Sequence, residues 1–268
     1  MRSLRVTIAQ TRRFSNYNEG IEWLRSRIKD VTTDLIILPE NWVGVRIFSN
    51  EEFNEYVSLL RELANEVGAL IIGGAAYVSV DNKNVSICPP MVNEKGGLIN
   101  YSEKIYPSRA TGERIGISNG NRLGVIKMND WRIGCIICVD AMYPELIRLL
   151  AKHEVDLVAN PSSISADRVS LWRSLGLVRA FENSTYFASA MGTGYKYPDG
   201  RDVLGGSFVA SPNGEYRLVV DLGGVEGIFT AIINHDEIEY ARSRRGGYIN
   251  DLRNELLISN ILVNIVDT

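Results

Sequence analysis

The sequence has few of the residues on which several protein classes depend. Its 268 residues include two histidines and three cysteines. An odd number of cysteines does not make a disulfide framework, which favours a reducing cytoplasm as the compartment. No run approaches the roughly 20 apolar residues that a transmembrane helix needs, and the N-terminus lacks the pattern of a signal peptide. The sequence therefore predicts a cytoplasmic protein without a membrane-spanning segment.

The chain also carries little net charge, at −3. Proteins that bind nucleic acid or an anionic membrane surface through broad electrostatics usually present a strongly basic face. Apolar residues make up 45% of the chain and charged residues 23%, which suits an ordinary globular protein. We therefore predict no nucleic-acid or membrane partner, and small-molecule substrates remain open.

Apolar runs typical of strands alternate with amphipathic stretches typical of helices. The predicted strands are Leu4–Gln10, Asp34–Leu38, Ala69–Val80, Val85–Val92, Leu98–Ser102, Leu123–Met128, Trp131–Ile137, Asp156–Asn160, Tyr186–Met191, Gly206–Ala210, Tyr216–Asp221 and Gly227–Ile233. Helices are predicted around Ile21–Ile28, after the capping box of Ser49 and Glu52, at Glu145–His153 and at Ser170–Glu182. The late part is a strand meander. This mixture predicts an α/β sandwich with mixed sheets, in a single domain over residues 1–268.

The chain ends in an apolar segment, Leu256–Val266, which follows the charged stretch Arg242–Arg253. A terminal apolar segment more often packs against protein than extends into solvent. We therefore expect residues 254–268 to form a tail that packs on the body or on a neighbouring subunit.

Three reactive side chains follow predicted strands directly: Glu40, Lys104 and Cys138. Ligands of α/β proteins usually bind at strand ends. Taken singly, each residue has a commoner explanation, because surface carboxylates, surface lysines and core cysteines are frequent. Together they offer a thiol nucleophile, a base and the nearby cation that favours the thiolate.

Cys135 and Cys138 form a C-x-x-C pair, which has two alternative interpretations. A zinc site needs four ligands, and the other candidates are Cys88, His153 and His235, without a second C-x-x-C. A redox pair begins a helix, whereas Cys135 lies in a predicted strand. Neither histidine follows a pattern that suits a Cys–His hydrolase. We therefore predict no metal or cofactor, and a core position for Cys135.

The segments that carry these residues resemble the nitrilase superfamily of carbon–nitrogen hydrolases, in order and in spacing. They are LPE at Leu38–Glu40, EK at Glu103–Lys104, GE at Gly112–Glu113, ICVDAMYPE at Ile137–Glu145, NPS at Asn160–Ser162, VRAFENSTYF at Val178–Phe187 and GGSFVASPNGE at Gly205–Glu215. The combination is specific, although no single tripeptide is. The resemblance implies a four-layer α-β-β-α sandwich that usually pairs through helices, so we expect a homodimer or a larger homo-oligomer.

The resemblance also implies a catalytic set. Carried over by motif, Glu40 is the general base, Lys104 stabilises the transition state, Cys138 is the nucleophile and Glu113 is a supporting carboxylate. The implied reaction hydrolyses a small amide or carbamoyl compound through a cysteine thioester. The C-x-D pattern from Cys138 favours this reaction over nitrile hydrolysis, because many true nitrilases have C-W-E there. A catalytically silent binding or signalling protein, nitrile hydrolysis and acyl transfer to an amine remain alternatives.

Four further residues are expected to line the substrate site: Val139, Met142, Asn160 and Met191. The backbone N–H of Val139 is a candidate donor to the developing oxyanion. Met142 replaces an arginine, and Met191 an asparagine, of many relatives.

Relatives that handle carboxylate-bearing substrates use an arginine near the Met142 position. Its absence here disfavours such a substrate or transfers the role to Arg109, Arg114 or Arg168.

Overall fold

The fold comes from a computed structural model that describes residues 2–80, 84–95, 97–253 and 262–267. Helices α1–α5 of these ranges are Tyr17–Ile28, Asn50–Val67, Pro144–Lys152, Val169–Asn183 and His235–Arg253. Strands β1–β18 are Ser3–Gln10, Leu35–Ile37, Ile47–Phe48, Leu70–Ile72, Ala76–Ser79, Val85–Cys88, Pro90–Val92, Leu98–Tyr101, Arg122–Met128, Trp131–Cys135, Leu157–Ser162, Tyr186–Met191, Thr193–Lys196, Asp202–Leu204, Phe208–Ala210, Tyr216–Val219, Gly227–Asn234 and Leu262–Asp267. Three short 3-10 helices are Glu113–Ile115, Cys138–Met142 and Ala166–Arg168.

Two large mixed sheets organise most of these strands. The first has the order β17-β1-β2-β4-β7-β8, and the second has the order β16-β15-β12-β11-β10-β9-β18. Strands β1, β2 and β4 run parallel, as do β10, β11 and β12, and antiparallel strands flank both groups. Two smaller sheets contain β13 with β14, and β3 with β5 and β6. The predicted mixture of parallel and antiparallel pairing is confirmed.

Side chains alternate between the two faces of each large sheet. Leu35 and Ile37 of β2 pack between the sheets with Leu157 of β11, whereas Ile36 packs on the side of α1 and α2. In the second sheet, Val158 points the other way and packs with residues of α3 and α4. Because successive strand residues face opposite sides, each sheet contacts both the other sheet and a helix layer. The layers are helix, sheet, sheet and helix, which confirms the predicted four-layer α-β-β-α sandwich.

Helix α2 begins where the sequence predicts it. Ser49 Oγ accepts a hydrogen bond from the Glu52 backbone at 3.1 Å, and the Glu52 carboxylate accepts from the Ser49 N–H at 2.9 Å. This reciprocal capping satisfies two N–H groups that the helix itself leaves without a partner. Leu60 and Leu63 are fully buried on the inner face of the helix.

Two predicted strands are wrong in their extent. Ala69–Val80 divides into β4 of the first sheet and β5 of a small sheet, and Val85–Val92 divides into β6 and β7. The first break falls at Gly73 and Gly74, and Gly74 has a left-handed φ of 72°. Apolar runs indicate extended backbone, but they do not indicate that the chain changes sheets within the run.

The C-terminal region contains a helix, α5, that the predicted meander lacks. Of the predicted tail, residues 254–261 and 268 lie outside the described ranges, and Leu262–Asp267 forms β18, which pairs in parallel with β9. Within the described ranges, no helix combines the length and apolar character needed to cross a membrane.

Candidate active site

Glu40, Lys104 and Cys138 occupy equivalent positions at the ends of three strands. Each lies three residues beyond the last residue of its strand: 37 to 40 for β2, 101 to 104 for β8, and 135 to 138 for β10. Strands β2 and β8 belong to the first sheet, and β10 belongs to the second. The site therefore lies where the ends of strands from both sheets meet.

Lys104 connects two carboxylates inside the protein. Its Nζ atom lies 2.7 Å from Glu40 Oε1 and 2.8 Å from Glu113 Oε2. The side chains of the three residues are only 1%, 4% and 5% exposed, respectively. At such burial each charge depends on its partners, because removing ions from water is costly. The structure thus brings three of the predicted site residues into one ion cluster.

Glu113 is held by fixed donors on both carboxylate oxygens. Tyr77 Oη donates to Oε1 at 3.1 Å, while the backbone N–H of Ser108 donates to Oε2 at 2.6 Å. Asn41 Nδ2 in turn donates to Tyr77 Oη at 3.4 Å. Glu113 begins the 3-10 helix Glu113–Ile115, in the connection after Lys104. These contacts fix its carboxylate against the lysine.

Glu40 has a different environment, because the Cys138 thiol is among its partners. Burial raises the pKa of Glu40, and the charge of Glu113 adds to the rise, while Lys104 and a hydrogen bond from Cys138 oppose it. Burial and the charge of Glu40 raise the pKa of Cys138 well above its usual range. The thiol is therefore protonated at neutral pH, and a carboxylate of raised basicity lies beside it.

The lysine remains charged in this cluster. Burial alone lowers the pKa of Lys104, but the charge of Glu40, that of Cys138 once it is a thiolate and that of Glu113 outweigh burial and raise it well above the usual lysine value. An ammonium group next to the thiol can neutralise negative charge that develops there.

Cys138 occupies a strained backbone position. Its φ is 45°, which is uncommon for a residue other than glycine, and its Sγ lies 3.7 Å from the carbonyl oxygen of Ser163. Cys138 begins the 3-10 helix Cys138–Met142. The N–H of Val139 is in the first turn of this helix, where N–H groups have no acceptor within the helix.

Asp140 ties the Cys138 turn to the loop that carries Lys104. Its completely buried carboxylate accepts hydrogen bonds from the backbone N–H groups of Ile105 at 3.1 Å, Tyr106 at 2.9 Å and Ile137 at 3.3 Å. Burial raises the pKa of Asp140 to about 7. The aspartate of the C-x-D pattern thus holds the Lys104 loop against the Cys138 turn, a role that the sequence analysis did not predict.

Asn160 lies beneath the Cys138 turn and is completely buried. Its Nδ2 donates to the carbonyl oxygens of Cys138 and Ile136, each at 3.3 Å, and its Oδ1 accepts from Ser162 Oγ at 2.6 Å. Arg179 of α4 supports the end of the same turn, since its Nε donates to Ala141 O at 3.0 Å. Both amide atoms of Asn160 thus form hydrogen bonds with groups of the protein interior.

The other residues predicted to line the site are dispersed around it. Val139 is half-buried, Met191 is fully buried in β12, and the Met142 side chain is 59% exposed at the end of the 3-10 helix. Their proposed contacts with substrate stay predictions.

The three arginines predicted to replace the missing one lie at the surface. Arg109 is exposed. Arg114 donates to Pro107 O at 2.8 Å, and Arg168 pairs with the neighbouring Asp167 at 3.1 Å.

Sequence reasoning also missed two tyrosines that contact Ser163, the residue whose carbonyl oxygen lies beside Cys138 Sγ. Tyr195 Oη lies 2.5 Å from Ser163 Oγ, and Tyr197 Oη lies 2.9 Å from the same atom. Tyr197 Oη also hydrogen-bonds to the Ser163 carbonyl oxygen, the group next to Cys138 Sγ. The sequence places Tyr195 and Tyr197 two residues apart, which is the spacing of one strand face, but it does not indicate which site that face meets.

Cys135 and Cys138 are both free thiols, and they lie in different surroundings. Cys135 is fully buried between the sheets, as predicted, and burial is the main reason that its pKa is raised. Across the described part of the chain, no group of three or more His, Cys, Asp or Glu side chains is arranged to hold a metal ion.

Comparison with known proteins identifies the family. The chain is similar to 2-oxoglutaramate amidase of Bacillus subtilis (strain 168), with 28% identity over 233 residues that are 83% of this chain and 86% of that protein. It is 26% identical to omega-amidase YafV of Escherichia coli (strain K12) over 217 residues, which are 80% of this chain and 79% of that protein.

The fold is also found among solved structures. The structure of a carbon-nitrogen hydrolase from Helicobacter pylori G27 superimposes with a TM-score of 0.82 at 19% identity, over 96% of this chain and 99% of that one. The sequence profile of the carbon-nitrogen hydrolases matches residues 5–243. This chain therefore belongs to the carbon-nitrogen hydrolase family.

Proposed function

We propose that this carbon-nitrogen hydrolase cleaves the C–N bond of a small amide through a thioester on Cys138. The observation that carries the proposal is the buried contact of Lys104 with Glu40 and Glu113 beside the Cys138 thiol. The names of the two amidases to which the chain is similar support an amide as substrate.

In the first half of the reaction, Glu40 takes the proton of the Cys138 thiol while sulfur attacks the amide carbonyl carbon. The carbonyl oxygen becomes an oxyanion, which Lys104 and the N–H of Val139 stabilise. The C–N bond then breaks, and Glu40 returns its proton to the leaving nitrogen, so that ammonia departs and a thioester remains.

In the second half, the Glu40 carboxylate takes a proton from water as the water oxygen attacks the thioester carbon. The C–S bond breaks, the thiol regains its proton, and the carboxylic acid departs. Each donor to the oxyanion contributes about 2.7–4 kcal/mol in comparable enzymes. Glu113 does not exchange protons in this scheme, because its two oxygens are occupied by Tyr77, Ser108 and Lys104.

The proposal extends to assembly and location. We propose a cytoplasmic homodimer or larger homo-oligomer, in keeping with the resemblance. Helix α4 supports an assembly because it exposes Leu171, Val178 and Phe181. Light scattering of the purified protein tests it, and a monomer at all concentrations would contradict it.

The decisive experiment measures ammonia release from a panel of simple amides, ω-amido acids, N-carbamoyl compounds and nitriles. Wild-type protein is compared with Cys138→Ala, and Cys135→Ala serves as the matched control because that thiol lies in the core. Mass spectrometry after an acid quench then locates the acyl group. We expect amide hydrolysis and an acyl adduct that both require Cys138 but not Cys135.

Other outcomes separate the alternatives. Release from nitriles but not amides would replace the amidase proposal by nitrile hydrolysis. Activity that survives Cys138→Ala would overturn the mechanism. A protein silent on the whole panel, with a Cys138 that iodoacetamide does not label, would support the silent binding alternative.

A further inference from the structure

The small sheet of β3, β5 and β6 holds the backbone of two loops that carry the ion cluster. In the first loop, the N–H of Asn41, which follows Glu40, donates to Ala75 O just before β5 at 2.7 Å. In the second loop, the Lys104 N–H donates to Ile87 O of β6 at 2.9 Å. The base and the lysine are therefore both anchored to a sheet to which neither of them belongs.

Tyr77 of β5 extends these contacts to side chains. It pairs across the small sheet with Ile87, whose carbonyl oxygen holds the Lys104 backbone. The half-buried Tyr77 hydroxyl donates to Glu113 Oε1 at 3.1 Å and accepts from Asn41 Nδ2 at 3.4 Å. One side chain of the small sheet thus contacts both the supporting carboxylate and the residue next to the base.

The contacts around the cluster form a closed ring. Lys104 joins Glu40 to Glu113, through contacts of 2.7 Å and 2.8 Å. Tyr77 joins Glu113 to Asn41, and the peptide bond of Asn41 leads back to Glu40. Asn41 is buried with a left-handed φ of 56°, a conformation that asparagine tolerates better than most residues. Because the ring is closed, a change at one member alters the contacts of the next.

Tyr77 acts in this ring as a neutral donor. Burial, and then the charges of Glu113 and Glu40, raise the pKa of Tyr77 well above the usual tyrosine value, so its hydroxyl stays protonated. A hydroxyl hydrogen directed at Glu113 Oε1 offsets part of the charge of that carboxylate. Glu113 then attracts Lys104 less strongly, and more of the lysine charge acts on Glu40.

We propose that Tyr77 is a positioning residue of the site: its hydroxyl holds Glu113 against Lys104 and so fixes how the ammonium group is shared between Glu113 and Glu40. This inference rests on the proposed function, in which Glu40 is the base. Tyr77 itself exchanges no proton in the reaction. The small sheet thereby gains a role in catalysis, because it supplies this hydroxyl.

The pH at which Glu40 ionises reports how the ammonium group is shared. Titratable side chains from several elements interact with its charge: Tyr77, Lys104, Glu113, Cys138, Tyr195 and Tyr197. Among them, Glu113 is the acceptor of the Tyr77 hydroxyl. Without that donor, the charge of Glu113 acts more strongly on Glu40 and on Lys104. Both effects oppose the ionisation of Glu40.

The test measures the rate at which iodoacetamide alkylates Cys138, across the acidic and neutral pH range. Mass spectrometry of digested protein locates the label, so the natural substrate need not be known. Because Glu40 accepts the thiol proton, the rate should fall as Glu40 becomes protonated. Wild type is compared with Tyr77→Phe, Glu113→Gln and the double variant. Tyr17→Phe is the matched control, since the Tyr17 hydroxyl donates to Glu55 between α1 and α2.

We expect Tyr77→Phe to move the acidic limb of alkylation to higher pH by about half to one unit, which slows the reaction on that limb by about three- to tenfold. In the Glu113→Gln background the same substitution should leave the limb in place, because the charge through which it acts is gone. Asn41→Gly keeps the left-handed backbone and removes the donor to Tyr77, so it should give a smaller shift in the same direction. Tyr17→Phe should keep the wild-type limb.

Two results would overturn the inference while leaving the amidase proposal intact. One is a limb of Tyr77→Phe that stays in place or moves to lower pH. The other is an equal upward shift with and without Glu113, which would mean that Tyr77 does not act through that carboxylate. If Tyr77→Phe does not fold, an unmoved limb in Asn41→Gly overturns the inference instead. Failure of the proposed function looks different, because wild-type Cys138 would then remain unlabelled or show no acidic limb.

Discussion

Lys104 is the residue on which the buried charges of the site depend. Without it, Glu40 and Glu113 face each other without a counter-ion at less than 8% exposure each. We expect Lys104→Met to reduce the free energy of unfolding by about 3–5 kcal/mol, as does the removal of one partner from other buried ion pairs. It should also reduce kcat by at least about a hundredfold through the lost oxyanion donor. Chemical denaturation and steady-state kinetics measure the two effects.

A compensated variant separates charge from catalysis. The triple substitution Lys104→Met, Glu40→Gln and Glu113→Gln removes all three charges, so stability should recover towards wild type while activity stays absent. A single Lys104→Met variant as stable as wild type would contradict the charge argument.

The pH dependence of the reaction depends on Glu40, which must be ionised to accept the thiol proton. Its pKa is raised by burial and by the charge of Glu113, so the acidic limb of kcat/KM should lie above 4.5, the ordinary glutamate value. Activity should be lost as the pH falls through that limb. Glu113→Gln removes one cause of the raised Glu40 pKa. We therefore expect the acidic limb of kcat/KM to lie at a lower pH in this variant than in wild type.

The control for this pH profile is Glu51→Gln, at an exposed position of α2, which should leave the limb where wild type has it. A limb that stays in place or moves upward in Glu113→Gln would show that Glu113 does not act on Glu40 through its charge.

At the scale of elements, Asp140 joins the loop after β8 to the turn after β10. Folding raises the pKa of Asp140 from 3.8 to about 7. Between these two pH values the folded protein keeps the Asp140 proton, whereas the unfolded chain has lost it. The stability contributed by this proton is complete below pH 3.8 and is lost as the pH rises to about 7. The loss amounts to roughly 1.4 kcal/mol per pH unit.

Asp140→Asn removes the titrating group. The unfolding free energy of wild type minus that of the variant should therefore fall between pH 4 and about 7 and then level off. Denaturant titrations at several pH values measure it, with Asp30→Asn at an exposed position as the matched control. A difference that does not change over this range would contradict the burial argument.

The sequence predicted some elements correctly and missed others, and each outcome has a physical reason. Tyr186–Met191 has the predicted bounds, because a continuous apolar run describes a strand buried on both faces. Helix α5 was missed, since its charged residues and its Gly246–Gly247 pair do not give a regular apolar stripe. Strand β13 was also missed, and with it the position of Tyr195. Its pairing with β14 is a tertiary contact that local periodicity does not encode.

At the scale of the whole molecule, the two ends of the chain are built into the large sheets. Strand β1 pairs with β17, and β18 pairs with β9. Asn100 of β8 donates to Asn264 O at 2.6 Å, which connects the first sheet to β18. The prediction that residues 1–268 form one domain implies a single cooperative unfolding transition, the same by near- and far-UV circular dichroism.

Truncation after residue 261 tests the contribution of β18. It removes the partner of β9 and an acceptor of the buried Asn100 amide, so we expect the Tm to fall by several degrees. Asn264→Ala should give a smaller fall, because its carbonyl group remains. An unchanged Tm on truncation would contradict a structural role for β18, and two separate transitions in the full chain would contradict the single domain.

By itself, the sequence determined the alternation of strand and helix, the capping of α2 and the positions of Glu40, Lys104 and Cys138 after their strands. These features follow from local periodicity and residue chemistry, which short segments encode. Only the tertiary structure decided that the ends of β2, β8 and β10 meet, that Asp140 spans two loops, and that Tyr195 lies beside Ser163. Such contacts join residues far apart in the chain, and their geometry depends on how both sheets pack across the whole core.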